Sequence, residues 1–151
     1  MRFRKAVEEA GIGAWYEVGL GALLKRDRDR IRCSDSRKLS GSVSLEDALR
    51  EVLKGRRLWD YAIGVRIDQK DDAAVFVEIH PAASTNVSEV LGKLTTLREW
   101  LAREGQALAS LRSVQFIWVA SGRVAIPRGS PHARRLAAAG LDYPRPVHQL
   151  N

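Results

Sequence analysis

Three side chains that can bind a cation or move a proton lie close together in the middle of the chain. Asp60 opens one segment of alternating apolar residues, and Glu78 and His80 stand two positions apart in the next. Proteins usually hold a hard cation such as Mg²⁺ by one or two carboxylates, together with water and a phosphate oxygen. Such a cation can polarise a phosphate and help to ionise an attacking water. These residue types therefore indicate metal-assisted chemistry on a phosphate ester.

The two alternating segments predict a β-hairpin. Residues 59–67 have apolar side chains at every odd position, and residues 73–80 repeat the pattern. The segment between them, residues 68–72, is polar and predicts a turn. The functional side chains fall on the even positions of both strands, so we expect them on one face of a sheet.

The register of this hairpin decides which side chains meet. With the turn centred on Lys70, Asp60 faces His80 and lies diagonal to Glu78. Diagonal neighbours are close enough for two carboxylates to share one ion. We therefore expect the carboxylates to converge, with His80 beside them, in a concave site open to solvent.

The hairpin is followed by a strand–helix–strand pattern. Pro81 is expected to end the second hairpin strand, and Asn86 to begin a long amphipathic helix that stops at Gly105. Residues 113–120 are nearly all apolar, which predicts a central strand covered on both faces. A crossover of this kind makes the strands on either side of the helix parallel.

The rest of the chain contains weaker patterns. They predict helices over 2–10, 14–25, 44–55 and 131–140, a short strand over 30–33, a mobile loop over 34–44 and an extended tail over 143–151. We find no internal repeat and no linker. The expected fold is one α/β domain over residues 1–151, with a single mixed β-sheet flanked by helices.

The order of these residues resembles the PD-(D/E)xK nuclease superfamily. An aspartate opens one strand, here Asp60, and the partner strand carries Glu78-Ile79-His80 before a helix and a further strand. The similarity spans about residues 14–120. It implies a restriction-endonuclease-like αβββαβ core and hydrolysis of nucleic acid with a Mg²⁺ or Mn²⁺ ion.

The resemblance also implies roles for particular side chains. Asp60 and Glu78 would be metal ligands, and Glu17 would be a further ligand if it lies on the first core helix. His80 stands where the superfamily has lysine, and would act as a base or as a ligand. Some members move that lysine to the following helix, where Lys93 is the candidate.

Charge is unevenly distributed along the chain, whose net charge is +7. Residues 1–59 carry 14 Lys/Arg and 9 Asp/Glu, residues 60–104 carry 5 and 8, and residues 105–151 carry 6 and 1. An acidic centre between basic flanks suits carboxylates that bind a cation and flanks that attract a polyanion. Arg56, Arg57 and Arg123 are the candidate nucleic-acid contacts.

Composition also predicts the compartment. Cys33 is the only cysteine, so no disulfide forms within the chain, and the basic start of the chain is not followed by an apolar segment. No apolar run approaches the roughly 20 residues of a membrane helix. We therefore expect a cytoplasmic protein with no membrane partner.

Other interpretations stay open at this point. The chain could be a non-catalytic nucleic-acid-binding member of the same fold, or an interaction protein with a protein partner or a second copy of itself. Glu78 could simply form an ion pair with Arg66, Arg123 or another basic side chain. Lys93 could form an ordinary surface pair with Glu89, four residues before it.

Overall fold

The structure, a computed structural model that describes residues 1–151, is an α/β fold around a mixed five-stranded sheet. The strands are β1 (Tyr16–Glu17), β2 (Ile31–Arg32), β3 (Leu39–Ser44), β4 (Tyr61–Arg66), β5 (Asp72–Ala83), β6 (Ser113–Ala125) and β7 (His148–Gln149). The main sheet has the order β1-β3-β4-β5-β6, antiparallel except for the parallel β5–β6 pair. The expected α/β class and mixed sheet are confirmed, but β2 and β7 form a second, parallel sheet of their own.

Six helices and three single 3₁₀ turns surround the sheets. The helices are α1 (Phe3–Glu9), α2 (Lys25–Arg28), α3 (Leu45–Leu49), α4 (Val87–Arg103), α5 (Gln106–Ala109) and α6 (Pro131–Ala138), and the 3₁₀ turns are Gly13–Trp15, Ser36–Lys38 and Ser84–Asn86. Ser44 and Ser130 each cap the helix that follows, because their hydroxyls accept hydrogen bonds from backbone N–H groups of its first turn. None of the helices combines the length and the apolarity that crossing a membrane requires.

Both faces of the main sheet are covered. The even face carries the even-numbered side chains of β4 and β5 and belongs to a core of 27 buried residues, which includes residues of α1 and α4. The odd face packs into a smaller core of 9 residues. Small even-face residues such as Ala62 and Ala74 leave room for helices, and Phe3 packs where Gly64 lacks a side chain. The expected solvent-open even face is therefore wrong.

The β4–β5 hairpin forms with the predicted parity but a different register. Tyr61 pairs with Val77, so the turn is residues 67–71 and not 68–72. Residues of equal parity still pair, which keeps Asp60 and Glu78 on one face. By extension of this register, Asp60 lies opposite Glu78 and not opposite His80.

Three predictions between α1 and β4 need correction. The expected mobile loop over 34–44 contains β3, whose backbone pairs with β1 on one side and β4 on the other. Gly41 supplies a φ of 135° at a register shift in this strand, and the Tyr16 ring occupies the space that a side chain would need. The expected helix over 14–25 is replaced by β1 and a loop, and the helix expected over 44–55 ends at Leu49.

Strands β5 and β6 and the C-terminal tail also differ from the expectation. β5 passes through Pro81 by a register shift between His80 and Ala82. β6 is an edge strand and not a central one, and the C-terminal tail (residues 143–151) covers part of its free edge, since the Ala120 N–H donates to the Arg145 carbonyl at 2.9 Å. The tail is not simply extended, because it contains β7.

Candidate active site

Two hydrogen bonds link Asp60 to Glu78 and Ile79 at one end of the β4–β5 hairpin. The Glu78 Oε1 atom accepts a hydrogen bond from the Asp60 N–H at 3.1 Å. In return, the Asp60 Oδ2 atom accepts one from the Ile79 N–H at 2.9 Å. Each carboxylate thus reaches across to the backbone of the other strand, and the structure brings the two together as the sequence predicted.

Lys93 completes this cluster from α4. Its Nζ atom lies 2.6 Å from the Glu78 Oε2 atom, so both oxygens of Glu78 have partners. The Glu78 side chain has no exposed surface and that of Lys93 is 15% exposed. Glu89 does not pair with Lys93, because its carboxylate contacts Arg57 and His80 instead.

The electrostatics of the cluster favour the neutral form of one carboxyl group. Burial and the negative charge of Asp60 together raise the pKa of Glu78 to about 8, although Lys93 and the hydrogen bond from the Asp60 N–H act to lower it. Burial also raises the pKa of Asp60, although the hydrogen bond from the Ile79 N–H and the positive charge of Lys93 act to lower it. Burial acts to lower the pKa of Lys93, but the Glu78 carboxylate outweighs it and leaves that pKa above its ordinary value. Two carboxyl groups thus share one ammonium group, and a further cation would stabilise their ionised forms.

His80 is held beside the cluster by other residues. Its Nδ1 atom lies 3.0 Å from the Pro81 carbonyl oxygen, and its Nε2 atom lies 3.4 Å from Glu89 Oε2. Its ring makes an edge contact with Trp118, with the centroids 6.4 Å apart. Oxygen acceptors next to both ring nitrogens thus fix the position of the imidazole beside the carboxylate pair.

A polar cleft of about 450 Å³ opens beside Lys93. It lies between the segment that follows β3 and helix α4, and is lined by Glu46, Arg50, Leu53, Gly55, Arg56, Arg57, Leu58, Glu89 and Lys93. Arg56 donates to Thr96 and Glu99, and Arg57 pairs with Glu89 at 3.2 Å. The two arginines predicted to contact nucleic acid are therefore at the cleft, but acidic groups already neutralise them.

The remaining predicted residues lie elsewhere. Glu17 is exposed on β1, where it pairs with Ser42, and Ser42 pairs with Ile63. This register places Glu17 on the odd face, with β3 between it and β4, so the structure does not bring it to the carboxylate pair. Arg123 is exposed near the end of β6.

Two acidic residues near the site were missed by the sequence interpretation. Glu89 was considered only as a surface partner of Lys93, yet it contacts both His80 and Arg57. Glu46 lies on α3, and its charge contributes to the raised pKa of Asp60. The sequence contains one indication that Glu89 belongs near the site, because Glu89 and Lys93 are four residues apart and therefore share a helix face.

The donor set is compatible with a hard divalent cation held by two carboxylates. No three His, Cys, Asp or Glu side chains form a group that could hold a metal ion. Two carboxylates are enough for Mg²⁺, which retains several waters and commonly binds a phosphate oxygen of its substrate. The surplus negative charge of Asp60 and Glu78 is the feature that fits such an ion.

Comparison with known proteins adds no assignment. No protein-family model, curated protein or solved structure matches this chain. The resemblance to PD-(D/E)xK nucleases therefore stays a hypothesis.

Proposed function

We infer that the chain is a divergent nuclease of the PD-(D/E)xK type, which hydrolyses phosphodiester bonds in nucleic acid with the help of a Mg²⁺ or Mn²⁺ ion. One observation carries this proposal. Asp60 before β4, Glu78 on β5 and Lys93 on α4 meet at one end of the sheet, beside a polar cleft. Two carboxylates and a lysine are the residue types that the resemblance implies for such a site.

The order of the elements supports the same proposal. Strands β3, β4 and β5 form an antiparallel meander, and α4 then leads to β6, which runs parallel to β5. With α1 as the first helix, and with β1, α2, β2, α3 and α5 taken as additions, this order is αβββαβ, although α1 lies before residue 14, where the resemblance begins. Asp60 precedes the second of these strands and Glu78 lies on the third.

Each side chain has a defined part in this proposal. Asp60 and Glu78 would hold the ion, which when bound supplies Lewis-acid polarisation of the phosphate and a more acidic water. Lys93 lines the cleft and presents its ammonium group where it can bind a phosphate oxygen. His80 is held beside the site by its contacts with Glu89 and Pro81.

A second candidate function is non-catalytic binding of nucleic acid. The observation in its favour is the complete burial of Glu78, with one oxygen bound to the Asp60 N–H and the other to Lys93. A carboxylate that is saturated by the protein can be structural. In this case the chain binds nucleic acid but does not cleave it.

A nicking assay separates the two functions. We expect supercoiled plasmid or single-stranded RNA to be cut in Mn²⁺ or Mg²⁺ and to survive in EDTA. Asp60→Asn, Glu78→Gln and Lys93→Ala should each reduce the rate by about 100-fold or more, the usual cost of losing one electrostatic contact to the transition state. Glu99→Gln is the matched control, because this residue is on the same helix but pairs with Arg56 away from the carboxylate pair.

The outcomes are distinct. Cleavage that persists in EDTA, or in both folded carboxylate variants, would exclude the proposed nuclease. Salt-dependent binding of nucleic acid without any cleavage would select the second function.

A further inference from the structure

Two groups of basic residues flank the site, and they differ in how their charge is balanced. In the segment that follows α3, each of four basic residues pairs with an acid: Arg50 with Asp47, Lys54 with Glu51, Arg56 with Glu99 and Arg57 with Glu89. From the end of β6 through α6, none of the four arginines pairs with a carboxylate: Arg123 on β6, Arg128 in the connecting loop, and Arg134 and Arg135 on α6. We call these four residues the arginine surface.

The arginine surface is exposed and held by uncharged partners. All four side chains belong to exposed residues, and residues 105–141 contain no aspartate or glutamate. The Arg128 guanidinium lies 4.0 Å from the centroid of the Tyr143 ring, and the Arg134 Nη1 atom donates to the Gly129 carbonyl at 2.6 Å. These contacts position the guanidinium groups without cancelling their charge, so the surface keeps a positive potential.

The arginine surface lies at the same end of the sheet as the carboxylate pair. Because β6 runs parallel to β5, Ala120 pairs with His80 and Ala125 with Ala83, and Arg123 falls between these two pairs. Arg135 donates from Nη1 to the Ser88 hydroxyl at 3.2 Å, in the first turn of α4. The next residue, Glu89, is the one that holds His80.

We propose that the arginine surface binds the phosphate backbone of nucleic acid and guides the strand to Asp60, Glu78 and Lys93. The proposed binding of phosphates depends only on the distribution of charge. The proposed guidance of the strand to the carboxylate pair depends on the nuclease function as well. Unpaired arginines at the surface are suited to phosphates, which they bind through two parallel hydrogen bonds.

Other anionic partners fit this surface less well. The exposed large apolar residues of the chain are Met1, Trp15, Val18, Leu24, Val52 and Ile67, and none lies between residues 120 and 140. A membrane-surface segment would combine its basic residues with an apolar anchor. A protein interface would surround its arginines with apolar or aromatic contact area.

The test measures binding without cleavage. The full chain is titrated against a short fluorescent oligonucleotide, single-stranded and duplex, in EDTA and across a range of NaCl concentrations. Arg123→Gln, Arg128→Gln, Arg134→Gln and Arg135→Gln together should weaken binding by tenfold or more and flatten the slope of log K against log salt, because fewer counterions are released. Circular dichroism checks the fold, and the double variant Arg123→Gln/Arg134→Gln serves if the fourfold variant is unstable.

The matched control removes an equal number of arginines that pair with acids and line no part of the cleft: Arg4, Arg26, Arg37 and Arg112. Replacing these four residues together by Gln should change the affinity by less than threefold. Equal loss in both variants would mean that only net charge matters, and would overturn the proposal. Binding to phosphatidylserine vesicles without binding to the oligonucleotide would also overturn it.

The nicking assay keeps this proposal separate from the proposed function. If the arginine surface binds nucleic acid but no cleavage occurs with any metal, the proposed nuclease function is rejected and the proposed binding surface is kept. If cleavage depends on Asp60 and Glu78 but not on the four arginines, the proposed binding surface is rejected and the nuclease function is kept.

Discussion

The β4–β5 hairpin buries one carboxylate near each of its ends, and the charges of the two are balanced differently. At the turn end, Asp72 accepts hydrogen bonds from the Arg2 guanidinium and the Phe3 N–H, both at 2.8 Å. At the other end, Glu78 shares a single ammonium group with Asp60. Neither Asp72 nor Glu78 has exposed surface.

This comparison distinguishes an anchoring carboxylate from a candidate catalytic one. Asp72 and Arg2 form one negative and one positive group, which together tie the start of α1 to the sheet. The cluster around Glu78 has one more negative than positive group when all are ionised, which costs stability unless something else binds. Surplus charge of this kind is common at functional sites.

The comparison is most sharply tested by the pH dependence of stability. The Glu78 carboxyl has a pKa of about 8 in the folded chain, against an ordinary value of 4.5. The native state therefore holds a proton that the unfolded state has lost, so this contribution is present below about pH 5 and disappears as the pH rises towards 8. Glu78→Gln should remove this trend, and the difference between the two proteins should change by roughly 4 kcal/mol across that range.

Urea denaturation in EDTA at about pH 5, 6.5 and 8 measures this difference. Glu99→Gln is the control, since Glu99 is half exposed and its pair with Arg56 lies outside the carboxylate cluster. A wild-type chain that loses no stability relative to Glu78→Gln over this range would contradict the assignment of surplus charge.

Asp72, the anchoring carboxylate, should stabilise the folded chain, and its removal should lower the free energy of unfolding. Asp72→Ala leaves the Phe3 N–H without its partner and separates Arg2 from the sheet, and should cost about 2–4 kcal/mol of unfolding free energy. The cost should not depend on divalent cations. If added Mg²⁺ restored the unfolding free energy of Asp72→Ala, the distinction between the two ends of the hairpin would be wrong.

The smallest expected effect concerns the position where the resemblance implies lysine. In His80→Lys the new ammonium group can pair with Glu89, so the unfolding free energy should change by less than about 1 kcal/mol. If Lys93 supplies the site lysine, as proposed, cleavage should stay within about tenfold of the wild-type rate. A loss as large as that of Lys93→Ala would show that the histidine itself acts in the reaction.

The local elements of the site could be predicted because their patterns are local. Alternation along residues 59–67 and 73–80 predicts which side chains share a face, and this was confirmed. The register was not accessible from the sequence, because residues 68–72 are all polar and do not mark where the turn is centred. It is fixed by Asp68, whose Oδ1 atom accepts from the Lys70 and Asp71 N–H groups at 2.8 Å.

The other wrong predictions concern features that depend on tertiary contacts. Residues 39–44 contain three serines and a glycine and form a strand only because β1 and β4 pair with them. Glu78 was expected to face solvent, but the small side chains on its face admit helix α4. The contact between Lys93 and Glu78 follows from that packing and has no signature in the spacing of the two residues.

The pairing of the C-terminal tail has a consequence for how the chain folds. The tail reaches back to the region of β2, where the side chain of Asn151 accepts from the Ser34 N–H across 117 positions. Closing so long a loop is entropically expensive, so these contacts should form after the hairpin and α4. Until then the outer edge of β6 has unpaired backbone groups, which makes the late intermediate the species most prone to aggregate.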